Sequence, residues 1–318
     1  MKNSLSKFIS RLSLQSKCIK YLLFLLCFIA YSFSCQAKVD MRKFMHKGSL
    51  PSQNTGLDLY YWKEPKFINF GDYLSLKIAE RMTDGRVKEF SKNSSSYEKK
   101  LLMIGSIFVF ARENDVIWGS GINGKVLSRM NYPFTKLDVR AVRGPLTRKF
   151  LMQEMQIPCP EIYGDPALLT PYLFPEFKKK KNPQYEYIII PHYSEEKYFP
   201  KNKYKNVVYS TEPWDQVMDK ILDSKFVISS SLHGIIIPEA YGIPARLLRI
   251  TNNEPMFKFH DYFLGTGRPN FHVARSVDEA RKMGGEKPCV CDLKKLYEAF
   301  PFEFWPGLEP KKINFQQK

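Results

Sequence analysis

The sequence predicts an α/β protein built as two halves, each a parallel sheet covered by helices on both faces. Three observations predict it. Short apolar runs alternate with stretches of helical periodicity along most of the chain. Those runs, such as LLMI at 101–104, VIW at 116–118 and III at 188–190, are apolar throughout rather than at every second residue, as strands buried on both faces are. The rhythm breaks once, at FPEFKKKKNPQ (174–184), and then restarts. That lysine-rich, proline-flanked segment reads as a solvated linker. With 318 residues and 44% hydrophobic side chains the chain can build two real cores, which excludes global disorder.

In the first half, 57–62 (LDLYYW) reads as a strand, and Asn69-Phe70-Gly71 as a turn into a helix over 72–82 with Asp72 at or near its N-cap. Strands follow at 101–104, 116–118 and 137–142. Pro145 then opens a helix to about residue 155, and 161–163 makes a short strand. In the second half the expected order is a strand at 185–191, a strand at 207–209, a helix over 214–222 and a strand at 226–231. A helix over 233–241, a strand at 246–250 and a last helix over 292–300 complete it. The domain boundaries expected are 1–40, 41–175, 185–290 and 291–318.

The N-terminal 40 residues stand apart. Residues 1–20 carry Lys2, Lys7, Arg11, Lys17 and Lys20 and no acid, and YLLFLLCFIAYSF (21–33) follows. This is the layout of a signal sequence or short membrane anchor, with membrane association through residues 21–34 and the body exported to the far side. A true start at Met41 would instead leave the body in the cytoplasm. The formal net charge of +17 asks for an anionic partner, but residues 1–40 hold six bases and one acid, so five of those charges are a topology signal. The remaining lysines are dispersed or sit in the linker with no nucleic-acid motif, so nucleic acid is not an expected partner. Cys159, Cys289 and Cys291 and the five histidines show no metal-ligand spacing, so no metal is expected, while an exported body would allow a disulfide from Cys159 to one of the pair.

Residues able to carry chemistry gather at strand ends, where loops feed helix N-termini in such sheets. The first place is SSSLHG: Ser229, Ser230 and Ser231 end a strand, and His233 and Gly234 begin a helix. Backbone N–H groups and hydroxyls converge there on an anion site with an imidazole for proton transfer; a helix cap with a histidine packed behind it has the same pattern. The second is Asn69, Gly71 and Asp72, where Asp72 is a candidate base or simply the helix cap. The third is VRAVRGP, in which Arg140 and Arg143 can clamp a carboxylate or phosphate or can face solvent. The fourth is VIWGSGI, in which Gly119 and Gly121 let a ligand approach backbone.

In combination and in order, INFGD, VIWGSGI, AVRGP, YGDPALL and SSLHGIIIPEAYGIP resemble the polysaccharide pyruvyl transferase family. The resemblance implies two Rossmann-like halves with a cleft between them, a glycosyltransferase B-like fold, and a C-terminal segment that packs back on the first half. It implies an enzyme that moves a pyruvyl group from phosphoenolpyruvate to two hydroxyls of a sugar or polysaccharide acceptor, forming a ketal and releasing phosphate, with no cofactor. The family's cleft histidine, motif aspartate and phosphate-side arginine match His233, Asp72 and Arg143, for which the chemistry suggests the roles of acid, hydroxyl-side base and donor clamp. Ser231 stands where some members carry an arginine. Because phosphoenolpyruvate is a cytosolic metabolite, an exported body would need its own supply. A nucleotide-sugar glycosyltransferase and a non-catalytic carbohydrate-binding protein are the alternatives.

Overall fold

The protein was analysed as a computed structural model that describes residues 56–91 and 99–316. The expected signal or anchor at 1–40 lies outside the described residues, and among these no helix is long and apolar enough to cross a membrane.

Two parallel sheets organise the described chain. In the first, β1 (Asp58–Tyr60), β2 (Lys88–Glu89), β3 (Lys100–Leu102), β4 (Val116–Trp118) and β5 (Asp138–Ala141) lie in the order β2-β1-β3-β4-β5. In the second, β6 (Ile188–Ile190), β7 (Val227–Ser229), β8 (Ala245–Leu248) and β9 (Val273–Ala274) follow sequence order. Strands β3, β4, β6, β7 and β8 are buried at every position; β4 and β6 are apolar throughout, while β3, β7 and β8 also bury Lys100, Ser229 and Arg246. The expected strands at 161–163 and 207–209 shrink to single bridges, Val142 to Tyr163 and Ile189 to Val207.

Helix α1 (Phe70–Met82) differs instructively from expectation. It begins two residues earlier than predicted, and Asn69 is its cap, the side-chain Oδ1 accepting from the N–H of Gly71 at 3.0 Å and of Asp72 at 3.3 Å. Asp72 is thereby released from capping. Pro145 opens α2 (Pro145–Gln153), and α3 (Thr170–Leu173) is a single turn. Helix α4 (Trp214–Leu222) spans the predicted residues, and α5 (His233–Ala240) begins at the predicted histidine. Helices α6 (Phe257–Gly265), α7 (Val277–Met283) and α8 (Leu293–Glu298) complete the set.

One continuous hydrophobic core runs through both sheets, joining Leu59, Leu101 and Trp118 to Ile190, Val227 and Leu247. The segment at 174–184 is docked rather than free: Phe174 and Phe177 flank Trp214, the Lys180 N–H donates to Leu222 O at 3.0 Å, and the Gln184 N–H donates to Asp223 Oδ1 at 2.8 Å. Its phenylalanines bury while its four lysines stay in water, so charge count alone misjudged it. At the C-terminal end, the Trp118 indole donates to Leu296 O at 2.8 Å, and Phe300 lies edge-on to Trp118 and stacked on Trp305. The Cys159 thiol is free and buried, and burial pushes its pKa up to about 12.

Candidate active site

The carboxyl ends of both sheets open on a pocket of about 330 Å³, within the range of about 300–1,000 Å³ usual for small-molecule sites. The first half contributes Asn69, Asp72, Ser106, Lys125 and Arg143 to its lining, and the second contributes His192, Tyr193, Ser231, His233, Glu254 and Lys258.

Asp72 and His233 meet across Gly71. A Cβ added at Gly71 would stand 2.1 Å from His233 Nδ1, so the imidazole rests where only a glycine leaves room. Gly71→Ala is therefore expected to push the ring aside, costing about 1–3 kcal/mol of stability by overpacking along with most activity. Thermal melts and turnover of the variant check this, and unchanged values would show that the ring does not sit on Gly71. Asp72 Oδ1 lies close to the Cα side of Gly105, and the carboxylate's exposed part faces the pocket rather than bulk solvent. Burial pushes its pKa up to about 6, with His233 and Lys258 opposing and Asp165 and Glu64 adding to the rise. A carboxylate tuned to that value is half-charged close to working pH, which suits proton transfer.

A second carboxylate backs the histidine. Asp165, at the N-cap of the turn 166–169, spends Oδ1 on the Ala167 N–H and aims Oδ2 at His233 Nε2, 3.7 Å away. Both atoms are buried and, among the described residues, neither has a hydrogen-bond partner, so each is free to answer the charge of the other.

Arg143 is fully buried, which overturns the solvent-facing alternative. Its guanidinium donates from Nη1 to Ser106 Oγ at 2.9 Å and from Nη2 to Ile122 O at 2.6 Å, and Nη2 lies 3.3 Å from Asp261 Oδ2. Asp261 in turn accepts from the Thr147 N–H and hydroxyl at 2.9 and 2.6 Å. Gly121 lets the guanidinium lie flat against it, since a Cβ there would be 2.4 Å from Arg143 Cζ. Arg143 thus forms a wall of the pocket and joins the two halves, and among the described residues its Nε has no hydrogen-bond partner.

Other expected residues fall outside the pocket. Arg140 pairs with Asp138 through Nε at 2.6 Å and with Glu303, so its charge is spent away from the lining. Ser229 Oγ donates to Ile190 O at 2.6 Å and accepts from the Ser231 N–H at 3.0 Å, while Ser230 Oγ accepts from the His192 N–H at 2.9 Å. These two hydroxyls stitch the ends of β6 and β7 together, and Ser231 alone of the three lines the pocket. Gly119 admits Pro166, and Gly234 packs α5 onto Ser229. Among the described residues no three His, Cys, Asp or Glu side chains are grouped to hold a metal.

Sequence reading had given no role to Asp165, His192, Glu254, Lys258 or Asp261. The usable signal for Lys258 was its place between two phenylalanines in FKFHDYF, which commits a charged side chain to a buried face. Glu254 joins Lys125 at 2.6 Å and Lys258, and although burial alone would raise its pKa, the two lysines hold it down at about 2. Burial, reinforced by Lys258, brings His192 down to about 4, so that ring is neutral at working pH.

Over 231 residues the chain is 28% identical to the uncharacterized protein L143 of Acanthamoeba polyphaga mimivirus, covering 67% of this chain and 76% of that one. Over 214 residues it is 26% identical to the succinoglycan biosynthesis protein ExoV of Rhizobium meliloti (strain 1021), covering 64% of this chain and 63% of that protein's length. An uncharacterized protein of Klebsiella pneumoniae with a solved structure superposes with a TM-score of 0.42 at 13% identity, over 71% of this chain and 95% of that one. The family model for polysaccharide pyruvyl transferases matches residues 45–252, a span that contains Asp72, Arg143, Asp165 and His233, and the chain belongs to the polysaccharide pyruvyl transferase family.

Proposed function

We propose that this chain transfers the pyruvyl group of phosphoenolpyruvate to two hydroxyls of a sugar acceptor, forming a ketal and releasing phosphate. The observation that carries the reading is the seating of Asp72 and His233 together across Gly71, in a pocket whose lining also holds Arg143, Lys125 and Lys258. We also infer a glycosyltransferase B-like arrangement of the halves, supported by a lining drawn from both sheets.

In this scheme the His233 imidazolium delivers a proton to the methylene carbon of the donor, making a methyl group and an electron-poor C2. A sugar hydroxyl bonds to C2 as Asp72 takes its proton. The C2–O bond to phosphate then breaks with its electron pair going to phosphate, which also receives the proton held by Asp72. The second hydroxyl adds to C2, and its proton returns to His233. Asp165 keeps the imidazole oriented, and the cationic wall balances the donor's charge. At the mouth, Trp62 and Phe110 stack at 5.0 Å and, with Tyr193, present aromatic faces suited to the C–H face of a sugar ring.

A donor screen tests the proposal. Phosphoenolpyruvate should raise the thermal midpoint of the full chain while nucleotide sugars leave it unmoved, since only a ligand of the native state stabilises it. A rise with a nucleotide sugar and none with phosphoenolpyruvate would make the protein a glycosyltransferase instead. Glycan binding without phosphate release would make it a lectin.

A further inference from the structure

The pocket's lining holds two lysines to which the reaction scheme gives no individual task. Three cations in its lining, Arg143, Lys125 and Lys258, face two carboxylates, Asp72 and Glu254. Arg143 is balanced from behind by Asp261 and has both Nη atoms bonded to protein. Glu254 is shared, Oε1 taking Lys125 at 2.6 Å and Oε2 taking Lys258. One carboxylate is thereby shared between two ammonium groups, while Asp72, the other carboxylate of the lining, acts on Lys258 only through space. Lys125 keeps half its side chain in solvent, whereas Lys258 is buried at the start of α6. Lys258 Nζ has three N–H groups; among the described residues it hydrogen-bonds only Glu254, with the Phe259 ring centroid 5.3 Å away.

We propose that Lys258 seats the donor's phosphate group, with Lys125 as its partner cation and Glu254 as the counter-charge that limits how tightly phosphate is held. This rests on the pyruvyl-transfer reading for the identity of the donor. The chemistry favours phosphate over carboxylate: an ammonium binds phosphate oxygens as a compact point charge, and its charge is needed most where the leaving group gains a negative charge as the C2–O bond breaks. The neighbouring His192, kept neutral by burial and by Lys258, can offer a hydrogen bond to the same group without adding charge. Glu254 has a complementary purpose: two unopposed lysines would retain product phosphate.

Two variants of opposite sign test this by calorimetric titration of the full chain with inorganic phosphate and with phosphoenolpyruvate. Lys258→Met should weaken both at least tenfold. Glu254→Gln should tighten inorganic phosphate severalfold, a gain that a purely structural pair cannot produce. If Lys258→Met does not fold, Lys258→Arg, which keeps the charge, should retain phosphate binding to within a few-fold. Unchanged phosphate affinity in Lys258→Met, loss of phosphoenolpyruvate alone, or weaker phosphate binding in Glu254→Gln would each overturn the assignment. Should the native chain bind inorganic phosphate through Lys258 yet fail to bind phosphoenolpyruvate, the phosphate seat stands and the donor reading falls. The reverse result, phosphoenolpyruvate bound equally by the native chain and Lys258→Met, leaves the reading and removes the seat.

Discussion

His233→Ala is expected to lower phosphate release from phosphoenolpyruvate by about 10²–10⁴-fold, the usual worth of a positioned general acid. The ring is buried, lies on Gly71 and faces Asp165 Oδ2 at 3.7 Å. Phosphate release in the presence of acceptor, followed with purified variant and native chain, measures the loss. Two further variants separate chemistry from shape. His233→Gln keeps a polar side chain of similar reach and should be as slow as alanine, since an amide donates no proton to carbon. Asp165→Asn keeps the turn cap through its oxygen but removes the charge facing the imidazole. It should lower kcat about tenfold or more while leaving the KM for phosphoenolpyruvate nearly unchanged, as an interaction made only in the transition state does. Near-native turnover in His233→Ala would remove the histidine from the proposed chemistry.

How much of this was legible in the sequence depended on how local the cause was. Strand β4 and helix α4 were readable at their full length because an apolar run or a 3.6-residue period identifies each without reference to the rest of the chain. His233 was readable because it follows a strand-ending run of polar residues at a helix start. The difference at Asp72 was a contest between neighbouring caps: Asn69 reaches both orphan N–H groups of the first turn, and Asp72, three residues on, is left to face the pocket. The remainder was set by tertiary partners. Nothing near Arg143 announces that Asp261, 118 residues later, will neutralise it, or that Arg140, three residues earlier, will be held by Asp138 and Glu303. The serines of SSSLHG looked like anion donors because their hydroxyls are chemically equivalent in sequence; which of them is spent on the backbone depends on where β6 ends. Lys258 and Glu254 lie beyond the last quoted motif and become a site only when α6 brings them beside Lys125.

Asp72→Asn is expected to abolish transfer and at the same time to stabilise the protein. Burial pushes the carboxyl's pKa up to about 6 in the folded chain, from an ordinary 3.8. Because the folded value is the higher one, the native state holds this proton more tightly than the unfolded chain does. The stabilisation from that proton is complete below about pH 4 and is lost as pH rises through 6. Two pH units correspond to roughly 3 kcal/mol, so the charged form at neutral pH carries a penalty of that order. Asparagine keeps the shape and never ionises. Its thermal midpoint should match the native chain's near pH 4 and exceed it by roughly 6–12 °C at pH 7.5, given about 2–4 °C per kcal/mol for a large domain. The native enzyme should show the same ionisation in its rate, the acid limb of kcat/KM rising with pH through about 6 as the carboxylate form accumulates to accept the sugar proton. Melting curves at the two pH values check the stability claim without any substrate. An Asp72→Asn midpoint at or below the native one at pH 7.5 would show that the carboxylate is not held against its own solvation. A stabilised, inactive variant would place Asp72 among residues whose charge the fold tolerates only because the reaction needs it.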